Sequence, residues 1–150
     1  MEIPENARDM FCFAVYGATH AINRAYTPLL KPLGLTYPQY ITLTLLWEKD
    51  GQSVNEIAKQ LGMESNTLTP LLKRLEASGH LTRNRGAEDE RQVFVFLTNS
   101  GKALKKEARE ITRCMITATG MSYADLDELV DRLTNLTHNL SVSKDANKEA

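Results

Sequence analysis

A chain of 150 residues, 42% hydrophobic and 25% charged, is long enough to bury a real core as one domain. Its formal net charge of −1 excludes a histone-like coating protein held by bulk counterion release, so any nucleic-acid binding must come from a local basic surface. No apolar run approaches the roughly 20 residues of a membrane span, and no basic-plus-apolar signal segment opens the chain, which predicts a cytoplasmic protein without a membrane partner.

A helical pattern runs from about Asn6 to Lys31, with Phe11, Val15, Ala18, Ile22, Ala25 and Leu29 in a heptad-like stripe. Such a long amphipathic helix predicts a partner helix, so residues 6–33 are read as a dimerisation segment. Cys12 lies beside this stripe, in a row with Tyr16, Thr19, Asn23 and Tyr26. Tyr16 is a neighbour of Cys12, one helical turn away. Tyr26 is about 21 Å further along the helix and cannot touch its own Cys12. If two first helices pack antiparallel across a dimer axis, Tyr26 and the nearby Tyr37 of one subunit approach Cys12 of the other. Phenol hydroxyls donating to sulfur favour a thiolate that attacks peroxides, and Phe11, Phe13 and Val15 suit an alkyl or lipid hydroperoxide. On the residues alone, a lone cysteine in a helix more often reads as a small core residue, with packing tyrosines around it.

The next helix is announced by Thr36 as cap, Pro38 in the first turn and Gln39 at the capping-box position, with Tyr40, Leu43, Leu46 and Trp47 as core contacts. Residues 36–98 then read as a winged helix-turn-helix. Ser53 and Glu56 form a second capping box, Ile57, Ala58 and Leu61 give one apolar face, and Gly62 stops the helix. A second helix is expected to start within Ser65, Asn66 and Thr67, all good caps, and to bury Leu68, Leu71, Leu72 and Leu75 before Ser78 and Gly79 end it. Its other face carries Asn66, Thr69, Pro70 and Lys73, and small polar groups near a helix start suit a recognition helix in the major groove. Pro70 is expected near the first turn, where a missing donor matters little.

A two-strand ribbon follows, Leu81–Arg85 and Arg91–Leu97, with residues 86–90 as the turn. Arg83, Arg85 and Arg91 on a thin ribbon can reach phosphates or a minor groove, and Asp89 reads as a brace for Arg91. The basic surface is then Lys73, Arg74, Arg83, Arg85 and Arg91. The alternative is a solvated charged ribbon that serves protein contacts.

Beyond the ribbon, residues 99–141 carry two amphipathic helices. Leu104, Ala108, Ile111, Met115 and Ala118 line one; the other, capped by Ser122, carries Leu126, Leu129, Val130, Leu133, Leu136 and Leu140. Subunit pairing explains both stripes. Residues 142–150 read as a disordered tail. The fold class is mainly α with a small β-wing, a single domain over residues 1–150. Two recognition helices about one DNA turn (roughly 34 Å) apart would read double-stranded DNA with a pseudo-palindromic operator.

Cys12 and Cys114 lack a C-x-x-C partner, and His20, His80 and His138 stand singly, which predicts no zinc site and no cofactor. No nucleophile-elbow, P-loop, metalloprotease or dinucleotide motif occurs, so an enzyme is not expected.

The runs Phe11-Cys12-Phe13-Ala14-Val15-Tyr16, Leu35-Thr36-Tyr37-Pro38-Gln39-Tyr40, Thr67-Leu68-Thr69-Pro70-Leu71-Leu72-Lys73-Arg74-Leu75 and Asp89-Glu90-Arg91-Gln92-Val93 resemble the MarR family of transcription regulators, in particular its organic-hydroperoxide-resistance (OhrR) type. The resemblance spans about Asp9 to Leu140. It implies a dimeric repressor whose Cys12, hydrogen-bonded to Tyr26 and Tyr37 of the partner subunit with Tyr16 nearby, is oxidised by organic hydroperoxide to a sulfenic acid. The dimer then shifts and leaves its operator. It also implies that Asp89 and Arg91 are the wing pair, the arginine facing DNA, while the helix face itself makes Ser65, Asn66, Thr67, Thr69, Pro70, Lys73 and Arg74 the candidates that lie at the DNA. Two departures stand out. Glu64-Ser65-Asn66 replaces the family's usual Asp-Ser-small run, which points to a different operator, and Thr117 stands where two-cysteine members place a resolving cysteine. Cys114, about one turn upstream, is read either as the resolving thiol or as a buried residue beside Met115. The alternatives are a regulator released by a small aromatic anion, with Cys12 idle, and a thiol peroxidase.

Overall fold

The computed structural model describes residues 3 and 5–146, with side chains as far as Val142. They form two compact units that divide between Thr112 and Arg113. The first holds the helices α1 (Phe11–Leu30), α2 (Tyr37–Glu48), α3 (Val54–Leu61) and α4 (Ser65–Ala77), with the strands β1 (Gln52–Ser53), β2 (Leu81–Arg85) and β3 (Val93–Leu97). The helix α5 (Asn99–Thr119) starts in the first unit and ends in the second, which also holds α6 (Tyr123–Ala146). The division therefore falls inside α5 rather than at residue 99, because Leu104, Ala108 and Ile111 pack on the core of the first unit. Three of the five residues of a stripe assigned to subunit pairing are thus used within the chain.

The helix starts follow local chemistry. Thr36 and Gln39 satisfy each other's free backbone donors at α2, at 3.4 and 2.9 Å, and Ser53 and Glu56 do the same at α3, at 3.1 and 2.7 Å. Ser122 and Asp125 repeat the arrangement ahead of α6. Between α3 and α4 the chain turns at Gly62, whose φ of 64° is left-handed and strains any residue with a Cβ. The helix α4 starts at Ser65, within the expected run Ser65–Thr67, but its cap differs from expectation. Its cap is Glu64, with no side-chain cap bond, and Ser65 is already helical. Pro70 consequently sits in the second turn, and its missing N–H leaves the Asn66 carbonyl without its usual i+4 donor. At the first helix, a short 3-10 turn over Ala7–Asp9 precedes α1, and another over Lys31–Leu33 follows it.

The ribbon has a third strand. β1 pairs antiparallel with β3, Gln52 opposite Val95 and Ser53 opposite Phe94, giving the order β1-β3-β2. The partner strand starts at Val93, two residues later than expected, and Arg91 belongs to the connection. Gln52 is buried. Its amide donates to the Leu45 and Lys49 carbonyls at the end of α2, and its oxygen accepts from Gln60. Asp50 accepts the Leu97 N–H at 2.8 Å, which ties the α2–β1 turn to the sheet. At the start of α5, Gly101 lies so close to the His80 carbonyl that a Cβ would collide with it.

The core comprises Leu30, Leu43, Leu46, Ile57, Leu68, Leu72, Leu75, Leu81 and Val95, all at most 1% exposed. Leu72 holds the recognition face outward by filling this core, so Leu72→Ala is expected to lower stability by about 2–5 kcal/mol in urea unfolding. α6 runs to Ala146, so residues 142–146, expected to be disordered, are helical, whereas residues 147–150 of that expected tail lie outside the described residues. No proline or glycine interrupts the run after Ser122, and Ser141 bonds back to the Thr137 carbonyl in helical register.

Candidate functional site

The amphipathic α4 turns Leu68, Leu72 and Leu75 into the core and leaves Asn66, Thr67, Pro70, Lys73 and Arg74 exposed. Ser65 and Thr69 are half-buried. The Ser65 hydroxyl donates to Asn55 Oδ1 at 2.8 Å, and the Thr69 hydroxyl donates to the Ser65 carbonyl at 2.7 Å. Both hydroxyl protons are therefore used inside the protein.

The three arginines of the wing meet different surroundings. Arg83 is only 22% exposed and places its Nε and Nη2 at 3.0 and 2.8 Å from Glu76 Oε2, while its backbone N–H donates to Glu76 Oε1. This pair fastens β2 to the recognition helix. Arg91 is 92% exposed, and both its Nε and its backbone N–H bond to Asp89 Oδ1, at 3.1 and 3.0 Å. Asp89 and Arg91 thus form the expected pair, with the rest of the guanidinium open. Arg85 is exposed at the end of β2.

The hydrogen bonds from Arg83 hold the Glu76 carboxyl below its ordinary value of 4.5. A depressed carboxyl stabilises the fold above its unfolded pKa, and that contribution is lost as pH falls through the folded value. Glu76→Gln is therefore expected to lower stability by about 1 kcal/mol at neutral pH, the figure for a pair still open to water. The difference from the unaltered protein should fade below pH 4.5 in acid titrations of unfolding.

Around the thiol, the structure brings some expected residues together and keeps others apart. Cys12 is exposed on α1, and so are Met10, Phe11, Phe13, Val15 and Tyr16, at 38–65%. It is not a core residue of its own chain. The Tyr16 ring meets His20 edge-on at 4.4 Å. At the other end of α1, Tyr26 stacks on Tyr37 with centroids 4.7 Å apart and lies 5.3 Å from Tyr40, which in turn meets Trp47 at 6.3 Å. Burial, then the neighbouring Tyr40, push the Tyr26 and Tyr37 phenols up from their ordinary value of 10.0, so both stay protonated donors near neutrality. Fourteen residues of helix separate Tyr26 from Cys12, about 21 Å. Cys114 is exposed in the second unit, which corrects the reading of it as a buried neighbour of Met115; Met115 itself is buried.

Three features escaped the sequence reading: Glu76, Asn55 and a cavity; Tyr40, expected as a core contact, is indeed buried. Tyr40 joins α2 to α5 through a 2.8 Å bond to the Thr112 hydroxyl. Beside it lies a cavity of about 330 Å³ lined by Tyr40, Thr44, Trp47, Glu48, Lys105, Ala108, Arg109 and Thr112. The stripe of Leu104, Ala108 and Ile111 hinted at α5 packing, but nothing local places Lys105 and Arg109 beside Trp47.

Two short helices in a helix-turn-helix, followed by a β-hairpin paired to a short third strand, define a winged-helix protein. Residues 24–108 match the profile of the family described as Transcriptional regulator SarA/Rot. The chain is 47% identical over 137 residues to the HTH-type transcriptional regulator TtmR of Methylorubrum extorquens (strain PA1), covering 91% of this chain and 70% of that one. It is 40% identical over 132 residues to the organic hydroperoxide resistance transcriptional regulator of Bacillus subtilis (strain 168), covering 88% and 90%. Among solved structures it matches AbfR of Staphylococcus epidermidis, 32% identical over 87% of this chain and 88% of that one, with a TM-score of 0.74. AbfR has also been solved reduced on DNA and in a disulfide-formed state, with TM-scores of 0.73 and 0.61 to this chain at 34% and 36% identity; coverage is 86% and 87% of this chain, and 90% and 86% of those. The chain belongs to this family of DNA-binding, winged-helix transcriptional regulators, of MarR type.

Proposed function

We propose that the chain is a cytoplasmic, homodimeric repressor that binds a pseudo-palindromic operator and leaves it when organic hydroperoxide oxidises Cys12. The observation that carries this reading is the separation of the thiol from its tyrosines. Tyr26 and Tyr37 form a stacked pair of protonated phenols, yet Cys12 lies about 21 Å away on the same helix, exposed among uncovered apolar residues. The site is complete only when α1 of a second copy brings its Cys12 to the phenols. The 40% identity to a regulator of organic hydroperoxide resistance supports the same oxidant.

In the completed site the Cys12 thiolate attacks the terminal oxygen of the hydroperoxide. The O–O bond breaks as the S–O bond forms, the sulfur loses two electrons, and the departing alkoxide takes a proton to leave as the alcohol. Donor phenols stabilise the sulfur anion before attack. Cys114 is the candidate to resolve the sulfenic acid, forming an S–S bond with loss of water; the disulfide-formed state of AbfR is a precedent in that relative. A resolving bond requires Cα atoms roughly 4.4 to 6.8 Å apart in the dimer.

A second reading rests on the cavity beside Tyr40. Its aromatic wall and its two cations, Lys105 and Arg109, set against one carboxylate, Glu48, suit an organic anion, whose binding would release DNA with Cys12 idle. Fluorescence anisotropy of a labelled duplex, selected from a random pool by the protein, separates the readings. Release by cumene hydroperoxide and not by salicylate supports the first; release by salicylate alone replaces it with the second.

A further inference from the structure

A recognition helix in the major groove and a wing in the adjacent minor groove necessarily straddle the sugar-phosphate strand that divides those grooves. The space between the two elements must then face phosphates. In this protein that space is a cleft of about 210 Å³ at the junction of α3, α4 and the wing, lined by Asn55, Ser65 and Thr69 on one side and by Arg83, Arg91 and Gln92 on the other. The exposed residues of α4, Asn66, Thr67 and Pro70, are not part of its lining, so the cleft is separate from the face offered to base edges.

Donor accounting shows what the cleft can hold. Ser65 and Thr69 direct their hydroxyl protons to Asn55 Oδ1 and the Ser65 carbonyl. Arg83 is neutralised by Glu76. Because Asn55 Oδ1 accepts from Ser65, the Asn55 amide is oriented with its Nδ2 donors unpartnered among the described residues. The Nη groups of Arg91 and the side-chain amide of Gln92 are likewise unpartnered there. Asp89 orders Arg91 through its Nε and leaves the outer fork open. One guanidinium and neutral amide donors, in a cleft with room for a phosphate group, match an acceptor-only monoanion.

We propose that this cleft grips a single phosphodiester of the operator backbone in each half-site, with Asn55 and Arg91 as its principal donors. The assignment rests on the DNA-binding reading and adds Asn55, on the first helix of the helix-turn-helix, to the interface. Asn55 fixes position rather than sequence, because a phosphate contact carries no base information.

The test uses full-length protein and a duplex selected from a random pool by the unaltered chain. Asn55→Ala is expected to weaken binding about fivefold per half-site, equally on matched and mismatched duplexes. Its salt dependence should be unchanged, whereas Arg91→Ala should lower the slope of log K on log salt by about one per half-site. Methylphosphonates, placed singly and symmetrically in both half-sites, neutralise one phosphate at a time. At one position the unaltered protein should lose more than Asn55→Ala costs, because the Arg91 contact weakens with it, and there the difference between the unaltered protein and Asn55→Ala should vanish. Asn55→Asp retains the acceptor for Ser65 and repels a phosphate; it should fold and bind more weakly than Asn55→Ala. Asn55 variants that bind as the unaltered protein does, or an Asn55→Ala loss that persists on every methylphosphonate duplex, overturn the cleft assignment alone. An unaltered protein that retains no duplex overturns the DNA-binding reading and the cleft with it.

Discussion

Cys12→Ser protein is expected to stay on its duplex at organic hydroperoxide concentrations that release the unaltered protein. The alcohol cannot be oxidised to a sulfenic acid, whereas a sulfur carrying an added oxygen changes size, polarity and hydrogen bonding at the seam between subunits. A coupling of about 1–3 kcal/mol between thiol state and operator binding corresponds to roughly 5- to 150-fold in affinity, and that loss should be absent in the variant. Tyr26→Phe and Tyr37→Phe should retain the switch but require more oxidant, because each removes a phenol donor that remains protonated near neutrality. Cys114→Ser separates two outcomes. A sulfenic acid that suffices for release leaves this variant responsive, while dependence on a disulfide makes it slow or silent. Anisotropy titrations with cumene hydroperoxide read all four proteins.

The second large effect concerns the dimer. Leu129 and Leu133 lie one turn apart on α6 and are 39% and 40% exposed, and Val130, Leu140 and Val142 are 55–61% exposed. On α1, Phe11 and Phe13 are 64% and 53% exposed. Uncovered apolar residues on this scale are what the proposed dimer would cover. Leu129→Asp/Leu133→Asp places two carboxylates in that interface, where burial without partners is strongly unfavourable. Sedimentation should then show the single-chain mass of 16.8 kDa. Operator affinity should fall by about 10²–10⁴, the avidity lost when one recognition helix binds without the other. A variant that remains dimeric would place the interface elsewhere.

The difference between Arg83 and Arg91 illustrates how far residues can be read without a fold. Both stand in the wing as arginines of a basic surface, and Asp89 was legible as a brace for Arg91 because the two are nearly adjacent. Glu76 carries no such signal. It reaches Arg83 only because the turn after α4 sends β2 back along the helix, and the pair leaves Arg83 22% exposed against 92% for Arg91. Capping explains much of what was legible: the pairs at Thr36, Ser53 and Ser122 are short-range rules that act before tertiary structure forms. Where the cap was chosen by context instead, at Glu64, no side-chain rule marked it, and Pro70 fell in the second turn rather than the first. β1 escaped for a related reason. Two residues have no periodicity, and Gln52 and Ser53 become a strand only through Val95 and Phe94, more than forty positions away. In the thiol site, Tyr26 and Tyr37 could be paired from the turn between their helices, but the third ring, Tyr40, and its bond to Thr112 depend on α5 returning across α2.

The most direct test follows DNA occupancy and the mass of Cys12-containing peptides in the same sample as organic hydroperoxide is added in fractions of an equivalent. Release should rise in step with oxygen on Cys12, or with a disulfide formed from it, and reverse with a thiol reductant. DNA release while the Cys12 thiol remains unmodified would contradict the sensor.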